Sequence, residues 1–127
     1  MDLLDTEVHG IIGEDGFTRL VAAFYRKVAH DEILGPLYPA QDMAGAEMRL
    51  RLFLIMRFGG PHHYLEHRGH PRLRMRHAPF PVNRRARDRW MMLMGQALDE
   101  VGLPADASAV LRRFFEDAAT FLMNQPD

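Results

Sequence analysis

Phe17, Leu20, Val21, Phe24, Tyr25 and Val28 recur at i, i+3, i+4, i+7, i+8 and i+11, a single apolar stripe on the period of an α-helix. The same period returns in the last third of the chain. Ala86, Trp90, Met94, Ala97 and Val101 form one stripe, and Leu111, Phe114, Phe115, Ala118 and Leu122 form another. No segment shows the strict polar–apolar alternation of a half-buried strand. A chain built this way is confined to an all-α packing, in which each stripe must find another helix to cover it.

Local signals place the helix ends. The first strong helix runs from near Gly16 to His30 with Asp15 as its N-cap, after a weaker helix around Thr6 to Ile12. Gly35-Pro36 and Pro39 break the chain, and Asp42 is placed to cap a helix from Met43 to Phe58. That helix is apolar around most of its cylinder (Met48, Leu50, Leu52, Phe53, Leu54, Ile55 and Met56), the mark of a helix covered on more than one side. Gly59-Gly60-Pro61 ends it. Between Gly59 and Pro81 the prolines and glycines leave room only for one or two short helical turns. Asn83 caps a third strong helix from Arg84 to Val101, Gly102 closes it, and a fourth runs from Ala105 to Asn124. The 127 residues therefore read as one domain with a loop-rich middle.

Composition narrows the chemistry. Hydrophobic residues make up 47% and charged residues 26%, which supports a packed core and argues against disorder. Cysteine is absent, which removes disulfides, thiolate nucleophiles and cysteine-ligated metal sites. No apolar run approaches a membrane span and the N-terminus lacks a signal-peptide pattern, so a cytoplasmic protein with no membrane partner is expected. The 16 basic and 17 acidic residues are unevenly placed: residues 68–89 carry +7 and the remainder −8. An anionic partner, from a small carboxylate to nucleic acid, would suit the basic stretch, as would a simple solvated face.

That stretch also holds histidines. His62, His63, His67, His70 and His77 admit three readings: a zinc site, ordinary surface histidines, or one axial haem ligand beside an apolar cleft. Zinc has little support, because no acidic ligand sits at matching spacing and Gly69 and Pro71 interrupt the helix that would align His63 with His67. Tyr25 and Trp90 each carry a polar donor on an apolar stripe, and Tyr38 stands just before Pro39. All three suit either core aromatics or donors to a ligand.

The string His67-Arg68-Gly69-His70-Pro71-Arg72-Leu73-Arg74-Met75-Arg76-His77-Ala78-Pro79-Phe80 resembles the group II truncated haemoglobins. It is preceded by Gly59-Gly60-Pro61 and Tyr64. The likeness extends through Phe24-Tyr25 and Tyr38-Pro39 upstream and Asp88-Arg89-Trp90 downstream, and spans about Thr6 to Asn124. It implies a shortened globin in which a two-over-two helical sandwich encloses haem b. It implies His77 as the ligand to haem iron, Arg49, Arg74 and Arg76 as propionate partners, and Phe53, Phe80 and Met94 against the porphyrin. Tyr25, Tyr38, Ala46, Leu50 and Trp90 would build the opposite, distal wall. Alanine at 46 and leucine at 50 cannot donate a hydrogen bond, so stabilisation of bound oxygen would fall to Tyr25, Tyr38 and Trp90. The partners expected are oxygen and other diatomic ligands, a separate reductase and a second copy in a homodimer, with no nucleic acid. Oxygen scavenging, nitric oxide dioxygenation, peroxidase-like chemistry and sensing or carriage without catalysis all remain open to such a pocket. A haem-free all-α protein is the remaining alternative.

Overall fold

A computed structural model describes residues 3–125, excluding the side chain of His67. The described residues are helical and contain no strand. A short 3-10 turn, Asp5–Glu7, leads into α1 (Val8–Val28). There follow a second 3-10 turn at Gly35–Leu37, α2 (Met43–Arg57), two short helices, α3 (His63–Arg68) and α4 (Leu73–His77), and the long pair α5 (Arg84–Val101) and α6 (Ala105–Phe121). No helix is long and apolar enough to cross a membrane among the described residues.

α1 is the central element. It packs most extensively on α5 and α2, and α6 completes the layer beside α5. The stripe read from the sequence is what it buries: Phe17, Leu20, Val21, Phe24 and Val28 are fully enclosed and Tyr25 nearly so. The expected division into two N-terminal helices appears as one helix with a break at Gly13, whose φ of 66° and ψ of 178° leave helical geometry. Asp15 consequently does not cap; its carboxylate pairs with Arg19 one turn on, at 2.9 Å. On α2 three consecutive residues, Phe53, Leu54 and Ile55, are buried, so the helix is covered on more than one side as its composition implied. Its N-cap residue is Asp42, but the carboxylate makes no capping hydrogen bond and instead pairs with Arg49, at 3.2 Å.

The other boundaries follow from local chemistry. Asn83 accepts a hydrogen bond from the Ala86 amide at 2.9 Å, and Gly102 closes α5 in the left-handed region. α6 ends at Phe121, three residues short of the expected Asn124. The turn after α2 is pressed against the chain's beginning. Gly59 has φ 104°, and a Cβ there would collide with the Thr6 carbonyl oxygen. The next glycine, Gly60, lies against His9, whose enclosed Nε2 has no hydrogen-bond partner among the described residues.

Candidate functional site

α4 is a five-residue helix with no buried residue, so packing alone does not hold it. Leu73 and His77 lie one turn apart on the same face, and Leu73 packs against the core. That places the His77 ring on the inward side. Its Nδ1–H donates to the Leu73 carbonyl at 2.7 Å. This bond sets the tautomer and leaves the Nε2 lone pair available to a metal, the arrangement usual for a histidine ligand.

A second cluster joins α1, the loop before α2, and α5. The Trp90 indole N–H donates to the Tyr38 hydroxyl at 3.2 Å. The Tyr38 and Tyr25 rings meet edge to face with centroids 5.6 Å apart, and Phe24 lies between Tyr25 and Trp90 at 5.5 and 5.0 Å. The Tyr25 hydroxyl has no hydrogen-bond partner among the described residues. Burial is the main reason both phenols hold their protons. It pushes Tyr38 up to about 12, against the opposing Trp90 bond. It raises Tyr25 further, with the neighbouring Tyr38 adding, Arg49 opposing and Glu47 adding. Both remain hydrogen-bond donors throughout the physiological range.

The remaining expected residues divide. On α2, Ala46 and Phe53 are buried and Leu50 half-buried, with Phe53 stacked edge-on against Tyr64 at 5.6 Å. Met94 is fully enclosed by protein and presents no surface to a ligand, whereas Phe80 is exposed. The arginines are already engaged. Arg49 pairs with Asp42, and Arg74 lies over the Phe121 ring at 5.3 Å. Arg76 donates to the carbonyls of Pro71 and Arg68, at 2.8 Å each. The Arg49–Asp42 pair is solvated enough that exchanging the aspartate for another carboxylate would cost little. Arg76 is different, because its fork anchors the loop that precedes α4.

Two of the other histidines are held locally. His63 faces Glu66 at 3.3 Å, and His70 accepts from the Arg72 amide at 3.2 Å. The His67 side chain lies outside the described residues. Among the described residues no group of three or more histidine, aspartate or glutamate side chains gathers as a metal site.

Asn124, expected from the sequence only as the end of the last helix, lies beyond α6 and has a further role. Its amide donates to the carbonyls of His77 and Phe80, at 3.2 and 2.8 Å, and its oxygen accepts from the Val82 amide at 2.9 Å. Only its type and its place after the last stripe were visible in the sequence; a contact spanning 47 residues leaves no local signature.

An imidazole with one nitrogen oriented and the other available, three aromatic donors in one cluster, and a helix with half-buried leucine form a set that fits a haem. Comparison with known proteins agrees. The bacterial-like globin family model matches residues 8–124. The group 2 truncated hemoglobin YjbI of Bacillus subtilis is 37% identical over 116 residues, covering 91% of this chain and 87% of its own. The crystal structure of hemoglobin from the thermophilic phototrophic bacterium Chloroflexus aurantiacus superposes with a TM-score of 0.90 at 47% identity, covering 93% of this chain and 98% of that one. A truncated oxygen-avid haemoglobin from Bacillus subtilis superposes at 0.88 with 36% identity, covering 92% and 98%.

Proposed function

Because this chain belongs to the bacterial-like globin family, as a group II truncated haemoglobin, we propose that it retains oxygen tightly rather than releasing it readily. It binds haem b, and the haem supplies the iron at which oxygen and other diatomic ligands bind. His77 is the protein's ligand to that iron in this reading, supported by the Leu73 bond that orients its ring. Arg49 is the first candidate to meet a propionate, because its present partner is a solvated aspartate.

The observation that carries the proposal is the Trp90–Tyr38 hydrogen bond beside the unengaged Tyr25 hydroxyl. Trp90 spends its single N–H on the Tyr38 oxygen. The Tyr38 proton is thereby free to point elsewhere, and Tyr25 adds a second donor. Trp90 then acts largely by aiming Tyr38. A dioxygen ligand carries partial negative charge, so donors of this kind favour its retention. The Bacillus subtilis haemoglobin it resembles is oxygen-avid, and the same property is proposed here.

Oxygen scavenging, nitric oxide dioxygenation and peroxidase-like chemistry all use such retention. The last two consume reducing equivalents, for which we propose a separate reductase in a cytoplasmic setting. The test is stopped-flow oxygen dissociation from the ferrous protein and from Tyr25→Phe, Tyr38→Phe and Trp90→Phe. Each single variant is expected to release oxygen about three- to tenfold faster, as loss of one net hydrogen bond implies. Wild-type rates in all three, and in the triple variant, would remove the proposal.

A further inference from the structure

The element that bears His77 is tied down by polar bonds at both ends. In front, Arg76 grips the Pro71 and Arg68 carbonyls, and Arg72 enters the helix at φ 44° and ψ 50°, a left-handed conformation unusual for arginine. Behind, the chain turns at once: the Phe80 amide donates to the His77 carbonyl at 2.9 Å, closing the turn His77-Ala78-Pro79-Phe80. The side-chain amide of Asn124 donates to the carbonyls at both ends of that turn. Its oxygen and its own backbone amide bond the amide and carbonyl of Val82, at 2.9 Å each. Four bonds from one residue therefore fix the segment from His77 to Val82.

From this we infer that Asn124 is a positioning residue for the haem ligand, acting through the His77 carbonyl from beyond the end of α6. The inference rests on the reading of His77 as that ligand. Its physical basis is that α4 buries no side chain of its own. The tilt and depth of the imidazole then depend on where the backbone at 77 is pinned. The Leu73 bond fixes the rotation of the ring within the helix, whereas Asn124 fixes the helix end against the body of the protein. Outer partners of a metal ligand commonly carry tenfold effects or more on retention. Asparagine is required for the geometry: both amide hydrogens meet carbonyls while the oxygen meets an N–H, a pattern that aspartate cannot supply.

The experiment compares wild type, Asn124→Asp, Asn124→Ala and Asn83→Ala in the haem-loaded full chain. Asn83→Ala removes the α5 cap and serves as a control for general destabilisation. The readouts are the iron–histidine stretch in the ferrous, ligand-free resonance Raman spectrum and the rate of haem transfer to an acceptor apoglobin. Both Asn124 variants are expected to shift and broaden that stretch and to lose haem about tenfold faster. Asn83→Ala is expected to keep the wild-type band. An unaltered band in both Asn124 variants would overturn the inference, as would the same change in Asn83→Ala. His77→Gly with added imidazole tests the premise separately: if His77→Gly without imidazole keeps the wild-type stretch, another residue binds the iron and the reading of His77 fails first.

Discussion

Tyr25 is a buried phenol and Tyr38 a half-buried one with its hydroxyl turned inward to Trp90, and burial has a measurable consequence at alkaline pH. Tyr38 ionises from an ordinary value of 10.0 when unfolded but only at about 12 when folded, and Tyr25 is raised further. The unfolded chain therefore gives up these protons first as pH rises. The folded state is favoured below pH 10 and progressively loses that advantage as the pH climbs toward 12. Denaturant titration of the haem-free protein is expected to show stability falling across this window by about 1–3 kcal/mol for Tyr38, with a shallower fall in Tyr38→Phe. An equal slope in both proteins would contradict the enclosure of the hydroxyl. Individual donors were legible in the sequence, because Tyr25 and Trp90 sit on apolar stripes where a polar tip is conspicuous. The bond between Trp90 and Tyr38 was not, since it joins a loop to a helix 52 residues later and depends on how α5 packs across α1.

Elements obeyed their local chemistry wherever one residue decided the matter. Asn83 and Gly102 bound α5 as their types require. Asn83→Ala is expected to cost about 1 kcal/mol in thermal or denaturant unfolding, the usual worth of an N-cap. Local reading failed where a carboxylate had a choice. Asp15 and Asp42 could each cap a helix, yet each meets an arginine on its own helix, Arg19 and Arg49. The turn after α2 is a different case. Gly-Gly-Pro marked a helix end, but nothing in it announced that the Thr6 carbonyl would press against Gly59. Gly59→Ala is expected to destabilise the fold by about 1–3 kcal/mol or more, from the positive φ and the collision together. A melting temperature equal to wild type would place the N-terminal segment elsewhere.

Over the whole molecule, the basic stretch is partly absorbed by the fold itself. Arg76 holds backbone carbonyls, Arg87 meets Asp88 and Thr120, and Arg89 pairs with Asp31. Part of the basic stretch seen in the sequence is therefore engaged in ties around α4 and the start of α5. The all-α class and its four principal helices were legible because burial follows the apolar stripes. The order in which those helices pack was reached only through the family resemblance, since periodicity says which face is covered and not by what. Haem binds the folded chain, so the melting temperature is expected to rise with hemin concentration in wild type and to respond weakly in His77→Ala. Equal responses would mean that His77 does not hold the group.

The most direct test of the account is the infrared carbon–oxygen stretch of the ferrous carbon monoxide complex, because that frequency falls when hydrogen-bond donors face the ligand. Wild type is expected to show a lowered band, and Tyr25→Phe combined with Tyr38→Phe a band moved toward that of an apolar pocket. The same frequency in both proteins would mean that the two phenols do not face the ligand and that this pocket does not retain oxygen through them.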